Sequence, residues 1–192
     1  MLHAKTFLKK FARFRLLSVS IIVRGKLSKK EVAMSQMPRV LIENACYHLI
    51  ARGNQKQIIF LAEEDYKEYL QKLRLYKKRF DFKLYGYCLM PNHVHLVGQP
   101  KIAKNLSKLM HGITRSYTAY FNDKYDKVGH LWQGRFKNKV IVKDRYLVDC
   151  INYVELNPIR ANIVNVVYGY PWSSYRERAL DNGSNILDQM VF

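Results

Sequence analysis

The mostly apolar run Cys46-Tyr-His-Leu-Ile-Ala-Arg52 stops at Gly53-Asn54, so the pattern predicts a first strand that ends in a turn. Between Glu63 and Arg79, Tyr66, Tyr69, Leu70 and Leu73 form the stripe of an amphipathic helix. Glu63, Glu64 and Asp65 open that helix and Lys77, Lys78 and Arg79 close it, which complements its dipole. Phe82–Cys88 and His93–Gln99 read as a second and a third strand on either side of Met90-Pro91-Asn92. A second helix is expected over Lys104–Asn122, with Leu106, Leu109, Met110, Ile113, Tyr117 and Tyr120 on one side. Leu131–Val142 reads as a fourth strand. The third helix is expected to start at Asp144, an N-cap residue, and to stop at Asn157, because Pro158 disfavours helical geometry in the residue before it. Trp172-Ser-Ser-Tyr175 is expected to anchor by packing, and the polar end of the chain to be mobile.

The order β-α-β-β-α-β-α implies an α+β fold: an antiparallel sheet with helices mainly on one face, of the ferredoxin-like type. No internal repeat and no Gly-, Pro- or Ser-rich linker divides the body. We therefore expect a basic N-terminal extension over residues 1–36, one domain over 37–178 and a polar tail over 179–192. Residues 1–33 hold nine Lys or Arg and one Glu, and Met34 and Met37 offer alternative starts. Phe7, Phe11, Phe14 and Leu17 recur at helical spacing there, so the segment reads either as an amphipathic arm or as an upstream extension that need not fold.

Charge narrows the partners. The 192-residue chain carries a net charge of +18, which favours a polyanion, nucleic acid before an acidic membrane surface. With 48% apolar residues it has ample material for a core. Its three scattered cysteines form no CxxC pair, which argues against a disulfide framework or a thiolate zinc site and for buried free thiols in the cytoplasm. Leu16–Val23, the longest apolar candidate for a membrane span, is far short of the ~20 residues required.

Candidate chemistry lies in two places. In extended backbone, side chains alternate between faces, so His93 and His95 point the same way at the mouth of a hairpin and can chelate one divalent ion. On the third helix, Asp149, Tyr153 and Asn157 are spaced by four and fall along one face. If that face meets the imidazoles, Asn157 can supply an oxygen ligand and Tyr153 can attack a phosphorus. Each residue alone has a blander reading. The chain has fourteen tyrosines, and most tyrosines pack; an Asn before proline is an ordinary helix end. His48, His111 and His130 read as surface or internally satisfied histidines.

Five segments in register carry a resemblance. Tyr47-His-Leu-Ile-Ala-Arg-Gly-Asn54, Met90-Pro-Asn-His-Val-His-Leu-Val97, Gly129-His-Leu-Trp-Gln-Gly-Arg-Phe136, Tyr153-Val-Glu-Leu-Asn-Pro-Ile-Arg-Ala161 and Trp172-Ser-Ser-Tyr175 resemble the REP-associated tyrosine transposases, a branch of the single-tyrosine HUH (His–hydrophobic–His) transposases. The resemblance implies an endonuclease and strand transferase that cleaves single-stranded DNA beside hairpins of palindromic repeats through a 5′-phosphotyrosine. Tyr153 would match the nucleophile, His93, His95 and Asn157 the metal ligands, and Mg²⁺ or Mn²⁺ the cofactor. Arg52, Asn54, Arg115, Trp132, Arg135 and Lys137 are the candidates for DNA contact, with cations tracking phosphates and Trp132 stacking on unpaired bases. The same reading expects a cytoplasmic, nucleoid-associated protein with no membrane and no stable protein partner, a monomer rather than a dimer. Two other readings stay open: a basic hairpin-binding module without turnover, and a histidine metallohydrolase that activates water.

Overall fold

The computed structural model describes residues 41–141, 144–180 and 185–190, within one compact unit over Val40–Phe192. The basic extension expected over residues 1–36 lies outside the described residues. The elements in order are β1 (Cys46–Arg52), α1 (Glu63–Arg79), β2 (Phe82–Met90), β3 (His93–Pro100), α2 (Asn105–Lys124), β4 (Lys137–Ile141), α3 (Asp144–Glu155), α4 (Asn157–Arg160) and α5 (Tyr175–Leu180). The strands form one sheet in the order β2-β3-β1-β4. Every neighbouring pair is antiparallel. This is the ferredoxin-like arrangement of the expected α+β class.

Alternation along the strands gives the sheet two different faces. Tyr47, Leu49, Ala51, Val94 and Leu96 point to one side, where they join Leu73 of α1 and Leu106, Met110, Ile113 and Tyr117 of α2 in the larger core. Asp65 locks those helices together from inside the first turn of α1. Its carboxylate is fully buried and accepts hydrogen bonds from the backbone N–H groups of Leu61 and Ala62, from the Tyr120 and Tyr125 hydroxyls and from Lys124 Nζ. Burial alone would raise its pKa, but the bonds from Lys124, Tyr125, Ala62 and Leu61 outweigh that and leave it lowered.

Helix α3 covers part of the opposite face. Leu147, Ile151 and Val154 are buried there with Tyr85, Cys88, Met90 and Val97 of the sheet and Tyr170. A register shift between Leu84 and Gly86 marks a bulge in β2. A Cβ added at Gly86 would stand 3.1 Å from Ile151 Cγ2, so the missing side chain makes the seat for α3. The Trp172–Tyr175 anchor holds the same region: the Trp172 ring stacks on Tyr66 with centroids 4.5 Å apart. Ser174 receives Tyr87 N–H and donates to Glu155, and Glu155 also pairs with Arg178 of α5.

Four expectations need correction. Strand four starts at Lys137, not Leu131, because Gly134 adopts a left-handed φ of +62° that turns the preceding segment into a loop. The third helix is broken at Leu156, so Asn157 opens the short α4 and does not close α3. Only Cys88 of the three free cysteines is fully buried. The described part of the tail, residues 185–190, docks instead of trailing: Ile186 is buried, and Asp188 pairs with Leu84 on the edge strand and with Lys77. The Asp144 side chain, expected to cap α3, lies outside the described side chains. Among the described residues no helix is long and apolar enough to cross a membrane.

Candidate active site

The histidine face of the sheet is built by register. Opposite β3, Ile50 stands across from His95 and Arg52 across from His93. On the other flank of β1, Lys139 stands across from His48 and Lys137 across from Ile50. Directly opposed residues share a face, so His48, His93, His95, Arg52, Lys137 and Lys139 come together on the side that α3 partly covers. The His93 and His95 ring centroids are 4.8 Å apart.

Both histidines are held at Nδ1. Asn92 donates from Nδ2 to the Lys56 carbonyl, which leaves its Oδ1 to meet His93 Nδ1 at 2.6 Å. His95 Nδ1 lies 2.8 Å from His48 Nε2, and those two rings stack with centroids 5.1 Å apart. Burial, then the Lys139 charge, lowers the His48 pKa to about 4. Burial, then Arg52, lowers that of His93 to about 4. Burial, with His48 and His93 beside it, takes His95 to about 2. All three rings are therefore neutral at pH 7, the form of imidazole that ligates metals.

Tyr153 stands over this cluster from α3. Its ring centroid lies 6.3 Å from that of His48, edge to face, and 47% of the residue is exposed. The end of the helix explains its restraint. The last carbonyls of a helix lack intrahelical donors, and two of them are taken by side chains here. Arg160 Nη1 donates to the Tyr153 carbonyl at 2.7 Å, and its guanidinium lies over the Tyr153 ring, 4.4 Å from the centroid. Asn157 Nδ2 donates to the Val154 carbonyl at 3.1 Å, which leaves Oδ1 as the acceptor atom of that amide.

The donor types suit a divalent ion: two imidazoles engaged at Nδ1, whose Nε2 takes no part in those bonds, and an amide oxygen on Asn157. Among the described residues no three His, Cys, Asp or Glu side chains form a ligand group.

The six residues suggested for DNA contact fall into two groups. Arg52 and Lys137 are exposed on the histidine face. Asn54, Arg115 and Trp132 instead line a cavity of about 470 Å³ with Thr114, Thr118 and residues 129–131 and 134. Trp132 is half-buried there, donates Nε1–H to the Thr114 carbonyl and packs near Tyr69 and Tyr117. Arg135 is exposed in the loop before β4. His111 and His130 are exposed, whereas His48 is buried in the cluster itself. Sequence reasoning also passed over Asn92, Lys139 and Arg160. Asn92 and Arg160 sat inside the quoted motifs; Lys139 carried no signal before its strand partner was known.

The chain thus carries paired histidines on a ferredoxin-like sheet beneath a tyrosine-bearing helix. The family model described as Transposase IS200 like matches residues 42–157, and the chain belongs to that family. It is 28% identical over 109 residues to a Haemophilus influenzae protein named among the REP-associated tyrosine transposases, covering 51% of this chain and 61% of that relative. The chain thus spans about three-fifths of that relative's length. Its fold is similar to a REP-associated tyrosine transposase solved bound to a REP hairpin, with a TM-score of 0.66, 17% identity, and coverage of 83% of this chain and all of that one.

Proposed function

We propose that the protein cleaves and rejoins single-stranded DNA beside a hairpin, with Tyr153 as nucleophile and Mg²⁺ or Mn²⁺ held by His93, His95 and Asn157. The observation that carries this is the exposed phenol of Tyr153 over neutral, Nδ1-pinned imidazoles. Membership of the IS200-like family and the hairpin in the similar structure support the choice of substrate.

The metal supplies positive charge to the scissile phosphate and so stabilises the charge that develops on its oxygens. The chain's residues do the rest. Arg52, Lys137 and Lys139 ring the histidine face and hold the DNA backbone. Arg160 fixes the Tyr153 ring. The Tyr153 oxygen loses its proton to solvent or a nearby base and forms a bond to phosphorus, while the bond from phosphorus to the 3′ oxygen breaks and that oxygen takes up a proton. The product is a 5′-phosphotyrosine and a free 3′-OH. Attack by a 3′-OH on the same phosphorus reverses the step, so no external energy source is needed.

The test incubates the chain with labelled single-stranded hairpin DNA and Mg²⁺ and looks for a denaturant-resistant adduct. Wild type should form it, Tyr153→Phe should form none, and His95→Ala should lose it while both variants still bind DNA. Binding without adduct in the wild type would instead identify a hairpin-binding module. Cleavage that survives Tyr153→Phe would identify a hydrolase using water.

A further inference from the structure

His48 is on β1, two positions diagonally from His95 across the β1–β3 ladder, since Ile50 is the residue that faces His95 and Val97 the one that faces His48. At that offset only side chains of this length meet, and they do: His48 Nε2 is 2.8 Å from His95 Nδ1. Both residues are 6% exposed, so water does not compete for the bond. We infer that His48 is a positioning residue for the cation site: its Nε2 accepts the Nδ1 proton of His95 and fixes the tautomer whose Nε2 lone pair is open to a divalent ion. This rests on the metal-dependent nuclease reading above.

The chemistry allows two assignments, and they exclude each other. Two neutral imidazoles share one hydrogen along this contact. If His48 donated, His95 would carry its own proton on Nε2 and could not ligate. If His95 donates, Nε2 is free. The neighbouring histidine is arranged in the second way by a different device, because the Lys56 carbonyl orients the Asn92 amide and leaves an acceptor for His93 Nδ1–H. One ligand is thus pinned by an amide and the other by an imidazole, and groups that hold a ligand at its second nitrogen commonly change metal affinity 10–100-fold when removed. A histidine present only to fill the core would have no such directional consequence.

The experiment uses the full chain without DNA. Mn²⁺ is titrated calorimetrically into wild type, His48→Gln, which keeps an oxygen acceptor near the Nε2 position, and His48→Leu, which keeps bulk without the acceptor. His48→Leu should weaken Mn²⁺ binding 10–100-fold, and His48→Gln should recover most of the loss. In parallel, long-range ¹H–¹⁵N spectra of histidine-labelled, metal-free wild type should show His95 protonated at Nδ1. A His95 protonated at Nε2, unchanged affinity in His48→Leu, or equal losses in both variants would overturn the assignment of His48 alone. A folded wild type that binds no Mn²⁺ would remove the metal reading and this assignment with it. Should His48→Leu fail to fold, His48→Gln and the wild-type tautomer still decide.

Discussion

Proline has no amide hydrogen, so Pro158 cannot donate to the Val154 carbonyl one turn earlier. Asn157 takes that role with its side-chain amide, and the same bond decides which of its two amide atoms is free. Arg160 does the equivalent for the Tyr153 carbonyl while lying over the ring. An exposed cation–π contact contributes about 0.5–1 kcal/mol, so Arg160→Ala should slow single-turnover adduct formation about two- to fivefold at saturating DNA. Equilibrium DNA binding should change less, and Arg160→Lys should restore only part of the rate, because an ammonium does not reproduce the planar fork. The three histidines of the cluster, His48 and His95 buried and His93 half-buried, set a pH dependence of stability. Their folded pKa values lie below the ordinary 6.5, so below pH 6.5 the unfolded chain takes up protons that the fold excludes. Stability is fully present above pH 6.5 and falls as pH drops towards 4, by at most about 1.4 kcal/mol per pH unit for each histidine. Urea unfolding between pH 7.5 and 4.5 should show this decline, and His48→Gln should make it shallower.

At the scale of elements, the position of α3 decides whether Tyr153 and the imidazoles meet. Three features place that helix: the Gly86 seat for Ile151, the apolar stripe of Leu147, Ile151 and Val154, and the buried Glu155, which binds Ser174 and Arg178. On the other face, α1 and α2 are tied through Asp65. Asp65→Asn would leave the Tyr120 and Tyr125 hydroxyls and Lys124 without a charged acceptor in a buried site. Hydrogen bonds to charged groups contribute about 1.5–3 kcal/mol, and the variant should lose on the order of that amount, read as a lower urea midpoint with an unchanged slope. Because the linkage lies on the far face, adduct formation by the folded fraction should be little altered.

For the whole molecule, the sheet separates two tasks. One face carries the larger core, and the other carries the histidines with a ring of cations. Residues 34–192 hold 24 basic against 14 acidic side chains, so the body is basic without the N-terminal segment, and register concentrates Arg52, Lys137 and Lys139 beside the site. Single-stranded DNA releases about 0.7 counterion per neutralised phosphate. Lys137→Gln with Lys139→Gln should therefore reduce the slope of log affinity against log salt by about 1.4 if each contacts one phosphate, which fluorescence anisotropy at graded NaCl would measure.

The extent of α1 could be read from the chain, because a four-residue apolar stripe and terminal charges of opposite sign act over local distances. So could the pairing of His93 with His95 on one face, since strand alternation has a fixed period of two. The course of Leu131–Phe136 could not be read so simply, because one left-handed glycine overrides the strand pattern. Nor could the docking of Ile186 and Asp188, which depends on an edge strand about a hundred residues earlier in the chain. His48 marks the division most clearly. As sequence it is one histidine among six, and nothing local sets it apart. Only the register of β1 against β3 sets it on the face of His95, and a slip of one residue would send it to the opposite core. Short-range periodicity set most of the elements and put His93 and His95 on one face, whereas long-range pairing decided which side chains surround them.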